Sequence, residues 1–148
     1  MSDESRRAVV AALIRLADST EYRDRADAGT CLASYAEMPE AGATLRRLVL
    51  DAVDTYVTRW TAAALLRRMD RAGFAMIASA FASADDQTAD WIFTAVEDTV
   101  GHSESDLAVA MAECAALTSG DDDELVRSGA GRLLEDMRQA LRATDPQN

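Results

Sequence analysis

Apolar residues recur along this chain every three to four positions, the spacing that places them on one face of an α-helix. The segment from Asp54 to Leu66 shows the pattern most clearly, and similar segments recur at a step of about 34 residues. In each segment a small inward-facing residue is followed four positions later by a larger one. The small residues are Ala28, Ala62, Val96 and Ala130, and the larger ones are Leu32, Leu66, Val100 and Leu134. We interpret the sequence as four copies of one helical unit.

A polar residue that can start a helix stands eight positions before each of the small residues. These polar residues are Thr20, Asp54, Thr88 and Asp122. The side-chain oxygen of Asp or Thr accepts a hydrogen bond from a free N–H group of the first helical turn. We therefore expect all four to be helix N-caps. Two further helix starts are indicated by Asp70, and by Ser103 with Asp106 three residues later.

Eight helices follow from these starts and from the breaks at Gly and Pro. Pro39 suits the first turn of the third helix, because the N–H group that it lacks is not needed there. The expected helices cover about 3–17, 21–36, 40–51, 55–69, 71–83, 89–100, 103–118 and 124–141. We predict a single all-α domain over residues 1–143, with four antiparallel helix pairs, and a disordered tail over residues 144–148.

Composition narrows the class further. The apolar fraction is 49% but aromatic residues are only 5%, so the core must consist mostly of Ala, Leu, Val, Ile and Met. All 15 basic residues are Arg, which together with the many alanines indicates a bacterial source.

The N-terminal segment has no apolar signal-peptide core, and no run approaches the roughly 18 apolar residues of a membrane span. We expect a cytoplasmic protein without a membrane segment, in which Cys31 and Cys114 are reduced core thiols on apolar stripes.

The net charge of −11 is concentrated in the second half of the chain. Residues 72–148 hold 4 Arg against 15 acidic residues, and no Arg or Lys lies between Arg71 and Arg127. Nucleic-acid binding needs an Arg or Lys surface, so this half is unsuited to it. The asymmetry has two interpretations, a solubilising surface or a surface that attracts a basic protein partner.

Three segments share the pattern Arg-x-x-Ala-x-x-Cys/Leu-Leu, and they begin at Arg25, Arg59 and Arg127. This pattern, with an Asp five residues before two of the arginines, resembles the second helix of a HEAT repeat. The resemblance covers nearly the whole chain and implies an α-solenoid, in which Asp and Arg side chains link neighbouring repeats in a ladder. Thr88 and Phe93 replace Asp and Arg in the third copy, and the step of about 34 residues is short for the family. Most proteins of that family are protein-binding scaffolds.

The second helices of such stacks line a concave surface, which gives the resemblance a candidate site. With Ala62 inward, Trp60 points about 160° away, beside Tyr56 and Val57. Trp, Tyr and Arg dominate the binding energy of many protein interfaces. The predicted partner-binding residues on this face are Tyr22, Arg23, Tyr56, Trp60, Arg67, Trp91 and Asp98. The alternative interpretation is that both Trp side chains pack between repeats and fill the space left by the alanines.

No pattern in the sequence indicates a catalytic, metal or cofactor site. His102, the one histidine, lies near Glu104 and Asp106, but a loop followed by a helix cap accounts for all three. The acidic run 121–124 lacks the spacing of a calcium loop and suits a helix N-terminus. No Ser–His–Asp or Cys–His arrangement and no phosphate-binding loop is present.

These features together predict a non-catalytic scaffold or adaptor that binds another protein, and the charge asymmetry favours a basic partner. A special case is an immunity or inhibitor protein that masks a toxin or an enzyme. The competing class is a HEAT-like enzyme that modifies nucleic acid, with Asp90 or Asp98 as its carboxylate, but the charge after residue 72 disfavours it. The identity of the partner, the curvature of the stack and the oligomeric state do not follow from the sequence.

Overall fold

The computed structural model describes residues 1–145 and residue 147, and this part of the chain contains eight α-helices and no strand. The predicted all-α class is therefore confirmed. The helices are α1 (Asp3–Leu16), α2 (Tyr22–Leu32), α3 (Pro39–Val49), α4 (Thr55–Arg67), α5 (Arg71–Ser83), α6 (Asp86–Val100), α7 (Glu104–Thr118) and α8 (Glu124–Thr144), and a short 3₁₀ turn (Ala33–Tyr35) follows α2. None of the described helices is both long and apolar enough to cross a membrane.

Three helix ends differ from the sequence prediction by three residues or more. The α-helical part of α2 stops at Leu32, because the next turn tightens into the 3₁₀ form. Helix α6 begins three residues earlier than expected, at Asp86. Helix α8 continues to Thr144, the first residue of the predicted disordered tail, and of that tail Pro146 and Asn148 lie outside the described residues.

Only one of the four N-caps predicted at the repeat step is a cap. Asp54 caps α4 by accepting a hydrogen bond from the N–H of Tyr56, at 2.9 Å. The other three predictions are wrong by one to three positions. Asp85 caps α6 and Asp123 caps α8 in place of the predicted residues, whereas Glu21 precedes α2 without a side-chain capping hydrogen bond. The separately predicted caps Asp70 and Ser103 are confirmed.

The small and large positions of the repeat form the centre of the core. All eight side chains are buried, with at most 7% of their surface exposed: Ala28, Leu32, Ala62, Leu66, Val96, Val100, Ala130 and Leu134. Phe74 and Phe81 of α5 are the largest fully buried side chains. The predicted inward face of α2, α4, α6 and α8 is therefore correct. It leaves the opposite face of α4 available for other contacts.

Close helix contacts run in two series. One joins α2 to α4 and α4 to α6, and the other joins α1 to α3, α3 to α5 and α5 to α7. Helix α8 departs from this scheme, because it packs most extensively on α5 and then on α7. Within the described residues it makes at most marginal backbone contact with α6. A regular continuation of the first series would have placed α8 against α6.

Two glycines allow the closest helix contacts. A Cβ atom on Gly129 of α8 would lie 1.8 Å from the backbone oxygen of Ala78 on α5. A Cβ atom on Gly29 of α2 would lie 2.0 Å from the side-chain oxygen of Thr61 on α4. Glycine at position 129 therefore brings the backbones of α5 and α8 together, and this contact draws α8 away from α6.

One buried ion pair links α2 to the turn before α4. The Nε of Arg25 lies 2.9 Å from Oδ2 of Asp51, and the two side chains are only 10% and 9% exposed. Arg25 also donates to the backbone oxygens of Ser19 and Thr20. The HEAT resemblance implies a ladder of Asp–Arg pairs between neighbouring repeats. The arginines of the later copies do not form an equivalent buried pair. Arg59 instead pairs with Asp98, and Arg127 donates to the backbone oxygen of Asp122.

The two cysteines occupy different environments. Cys114 of α7 is fully buried, as predicted, whereas Cys31 of α2 is exposed. The prediction of a core thiol at position 31 is wrong because consecutive helical residues are rotated by about 100°, and Leu32 takes the inward direction.

Candidate functional site

Three aromatic side chains lie side by side across the outer surfaces of α2 and α4, and we call them the aromatic strip. The rings of Tyr22 and Tyr56 meet edge to face, with centroids 5.3 Å apart and planes at 87°. The rings of Tyr56 and Trp60 lie 5.6 Å apart at a tilt of 47°. Such edge-to-face and tilted arrangements are favourable for aromatic pairs. The strip is therefore a preformed cluster and not three independently mobile side chains.

The aromatic strip is open to solvent. Tyr56 is 41% exposed and Trp60 is 45% exposed, and Tyr22 is half-buried. Large aromatic side chains normally bury most of their surface in the core. The alternative that Trp60 fills space between repeats therefore disagrees with its position, because much of the indole surface meets water.

Trp60 also forms one wall of a cleft between α4 and α6. The cleft has a volume of about 280 Å³, and its lining includes Arg67 and Asp98 as well as Tyr56 and Trp60. Arg67 and Asp98 are both exposed. The cleft is also lined by Arg59, so it combines an apolar wall with two positive groups and one negative group. This combination allows both apolar contact and oriented hydrogen bonds with a bound segment.

Trp91 lies apart from the aromatic strip and is half-buried. It borders a second surface depression, which is also lined by Asp51 in the turn before α4 and by Thr58 of α4. Arg59 connects the two regions, because its guanidinium carbon lies 5.6 Å from the centroid of the Trp91 ring and its Nη2 lies 3.2 Å from Oδ2 of Asp98. Trp91 therefore lies at the edge of the α4–α6 contact. Its half-burial matches neither a core residue nor a fully open groove residue.

The structure brings together most of the residues that the sequence predicted for this surface. Arg23 lies next to Tyr22, with its Nε donating to the phenol oxygen at 3.2 Å. The prediction that Val57 faces outward beside Trp60 is wrong, because Val57 is fully buried. Arg59 was missed as a surface residue, since the HEAT resemblance assigned it to the ladder. Its position one residue before Trp60 was the signal that could have placed it on the outer face.

Asp90 and Asp98, the two carboxylates considered for a nucleic-acid-modifying enzyme, are both exposed, and Asp98 is paired with Arg59. No group of three or more His, Cys, Asp or Glu side chains in the described residues could hold a metal ion. His102 is exposed in the turn after α6. The acidic run has structural roles, because Asp123 caps α8 and Asp122 pairs with Arg71.

Comparison of the chain with models of protein families, with curated proteins and with solved structures found no match. The resemblance to HEAT repeats therefore remains a prediction from the residues quoted above.

Proposed function

We propose that this chain is a non-catalytic protein-binding module whose partner docks on the aromatic strip and the adjoining cleft. The single observation that carries the proposal is the exposure of Tyr56 and Trp60 within one ordered aromatic cluster. Rigid aromatic side chains offer a large contact area and lose little conformational freedom on binding, which is why they anchor protein interfaces.

In this proposal the chain is a short bacterial HEAT-like solenoid that works in the cytoplasm. Helices α2, α4 and α6 are the second helices of successive repeats, and their outer surface is the concave face. The contacts of α2 with α4 and of α4 with α6 support this assignment. The acidic second half of the chain favours a basic partner, because its field accelerates encounter with positive surfaces. An inhibitor of a basic toxin or enzyme is one partner relationship of this kind.

Affinity capture from a lysate of the source organism tests the proposal. The bait is the wild-type chain beside the double variant Tyr56→Ala, Trp60→Ala. A matched control is Val109→Ala, Leu125→Ala, which removes two apolar side chains of similar exposure, 40% and 42%, from α7 and α8. We expect one protein to be captured by the wild type and by the control but not by the strip variant.

The captured protein is then produced and its affinity for each variant is measured. Loss of two hot-spot side chains should weaken binding by at least about thirtyfold. Circular dichroism confirms that the variants remain helical. Equal capture by the strip variant and the wild type would contradict the proposed face, and the absence of any specific partner at low salt would contradict the proposed class of function.

A further inference from the structure

A groove runs between α6 and α8, because α8 packs on α5 and α7 and leaves one side of α6 uncovered. The groove consists of two adjoining halves with volumes of about 470 and about 410 Å³. Both halves include Phe93 and Ala140, which lie at their common boundary. The groove shares only Asp98 with the cleft beside Trp60, so it is a separate surface.

The groove follows α6 from end to end. Asp86 at the start of α6 and Arg132 of α8 line one half, and Gly101 at the end of α6 and Thr144 of α8 line the other. Helix α6 has 15 residues, which at 1.5 Å per residue is a length of about 22 Å. The two halves together border α6 over this length.

The floor of the groove is apolar. Phe93 and Leu107 are half-buried there, and Val96 and Met137 lie beneath with only 3% of their surface exposed. Leu141 stands at the edge, 43% exposed. Phe93, Leu107 and Leu141 keep part of their apolar surface exposed to solvent, and an amphipathic helix placed on them would bury it.

The rim of the groove is acidic. Asp86, Asp90 and Glu97 are exposed along α6, and Asp136 is half-buried on α8. None of these four forms an ion pair with another described residue. Arg132, the one arginine in the lining, donates to the backbone oxygen of Phe81 and lies over its ring, 4.6 Å from the centroid. The carboxylates on the rim therefore remain available to an external cation.

We propose that this groove binds a basic amphipathic α-helix of a partner protein. The apolar side of that helix lies on the floor around Phe93 and Leu107, and its Arg or Lys side chains reach the carboxylates of Asp90, Glu97 and Asp136 on the rim. An apolar floor between acidic edges is complementary to such a helix and repels an acidic one. The inference does not rest on the aromatic strip, and either can fail without the other.

The test uses the full-length chain and a fluorescein-labelled helical peptide of about 14 residues, built from Leu and Lys in an amphipathic pattern. A second peptide with Glu in place of Lys controls for apolar binding alone. Fluorescence anisotropy at low salt gives the dissociation constants. We expect the basic peptide to bind the wild type, and the variant Asp90→Asn, Glu97→Gln, Asp136→Asn to bind it at least about tenfold more weakly.

A second triple variant controls for net charge. Glu4→Gln, Asp27→Asn and Asp121→Asn neutralise the same number and types of acid at exposed positions that do not line the groove. This variant should bind the basic peptide as the wild type does. Equal weakening by the two triples would mean that the peptide responds only to overall charge, and this result would overturn the proposal.

A pair of leucine variants tests the apolar floor on the same helix. Leu141 in the groove and Leu125 outside it are 43% and 42% exposed, so Gln at either position should leave the fold intact. We expect Leu141→Gln to weaken peptide binding several-fold and Leu125→Gln to have no effect. The Tyr56→Ala, Trp60→Ala variant should bind the basic peptide normally, which separates the groove from the aromatic strip.

Three further results would overturn the inference. The first is no binding of the basic peptide to the wild type at low salt. The second is equal binding of the acidic peptide. The third is a wild-type dimer in sedimentation that the rim triple variant dissociates, because the occupant of the groove would then be a second copy of this chain.

Discussion

The pair Arg25–Asp51 shows how a single ionised contact ties the first two helix pairs together. Both side chains are nearly buried, and the guanidinium also satisfies two backbone oxygens in the turn before α2. Burial opposes ionisation of Asp51, but hydrogen bonds from Arg25 and from the N–H groups of Asp54 and Val53 outweigh it and lower the pKa of the carboxyl. Removing one partner leaves a buried charge without compensation, which is costly.

We predict that Asp51→Asn lowers the free energy of unfolding by about 2 kcal/mol or more at pH 7. Because the pKa of Asp51 is lower in the folded chain, its contribution is present above the unfolded pKa of about 4 and is lost as the pH falls through the folded pKa. Urea unfolding at several pH values checks this. The difference between wild type and variant should be constant from about pH 5 to 8 and should shrink below about pH 4; a difference that persists at low pH would contradict the role of the ionised pair.

The two cysteines give a second prediction at the residue scale. Burial, with a smaller effect of Glu113, raises the pKa of the Cys114 thiol to about 12, whereas Cys31 is exposed. Because the thiolate is the reactive form, one thiol per folded chain should react rapidly with a disulfide reagent at pH 8, and two should react after unfolding. The Cys31→Ser variant should lose the rapid phase, and two rapid thiols in the folded wild type would show that α7 is not packed as described.

The sequence places Cys31 and Cys114 on equally apolar stripes, and only the structure separates them. The repeat pattern identified the eight small and large core positions correctly, because they recur at one helical face in every copy. Whether a residue at the border of such a face is buried depends on which neighbouring helix covers it. That is a property of packing and is absent from the local pattern.

At the scale of helices, the close contact between α5 and α8 keeps α8 away from the position that it would have in a regular stack. Gly129 meets the backbone of Ala78, so no side chain at all fits between the two helices there. Gly131, two residues further along α8, has no atom within 4 Å of the position that a Cβ would occupy. The two glycines differ only in what lies opposite them, which makes them a matched pair.

We predict opposite effects for alanine at these two positions. Gly129→Ala forces α8 away from the backbone of α5 and should lower the free energy of unfolding by about 2–4 kcal/mol. Gly131→Ala enters open space and should raise it by about 0.5–1 kcal/mol, because alanine favours the helix. Chemical denaturation measures both. Equal effects of the two substitutions would contradict the close approach of α5 and α8.

The existence of all eight helices could be predicted from periodicity, and the N-termini of α4, α5 and α7 from their capping residues. The position of α8 could not. Gly129 gives no sign in the sequence of the Ala78 backbone opposite it, since that contact joins residues far apart in the chain. Two of the caps at the repeat step failed for a related reason. Asp123 is adjacent to the predicted Asp122 and Asp85 lies three residues before the predicted Thr88, and cap candidates this close together cannot be ranked by spacing alone.

At the scale of the whole molecule, an exposed aromatic surface lies on α2 and α4 and an acidic groove lies between α6 and α8. The helical wheel predicted the first, because the direction of Ala62 fixes the opposite direction of Trp60. It failed for Val57, which the wheel placed outward and which is fully buried. The charge asymmetry was evident from the sequence, but the groove depends on the displacement of α8 and could not have been predicted.

The most direct test of the proposed binding face uses Trp60 as its own reporter. The chain has 2 Trp, so Trp91→Phe leaves Trp60 as the single indole, 45% exposed in the free protein. Acrylamide quenching of its fluorescence is measured with and without the captured partner, under conditions in which size-exclusion chromatography shows a complex. We predict that the partner lowers the quenching constant several-fold, because it covers the aromatic strip. An unchanged quenching constant in a fully formed complex would contradict the central claim that the partner docks there.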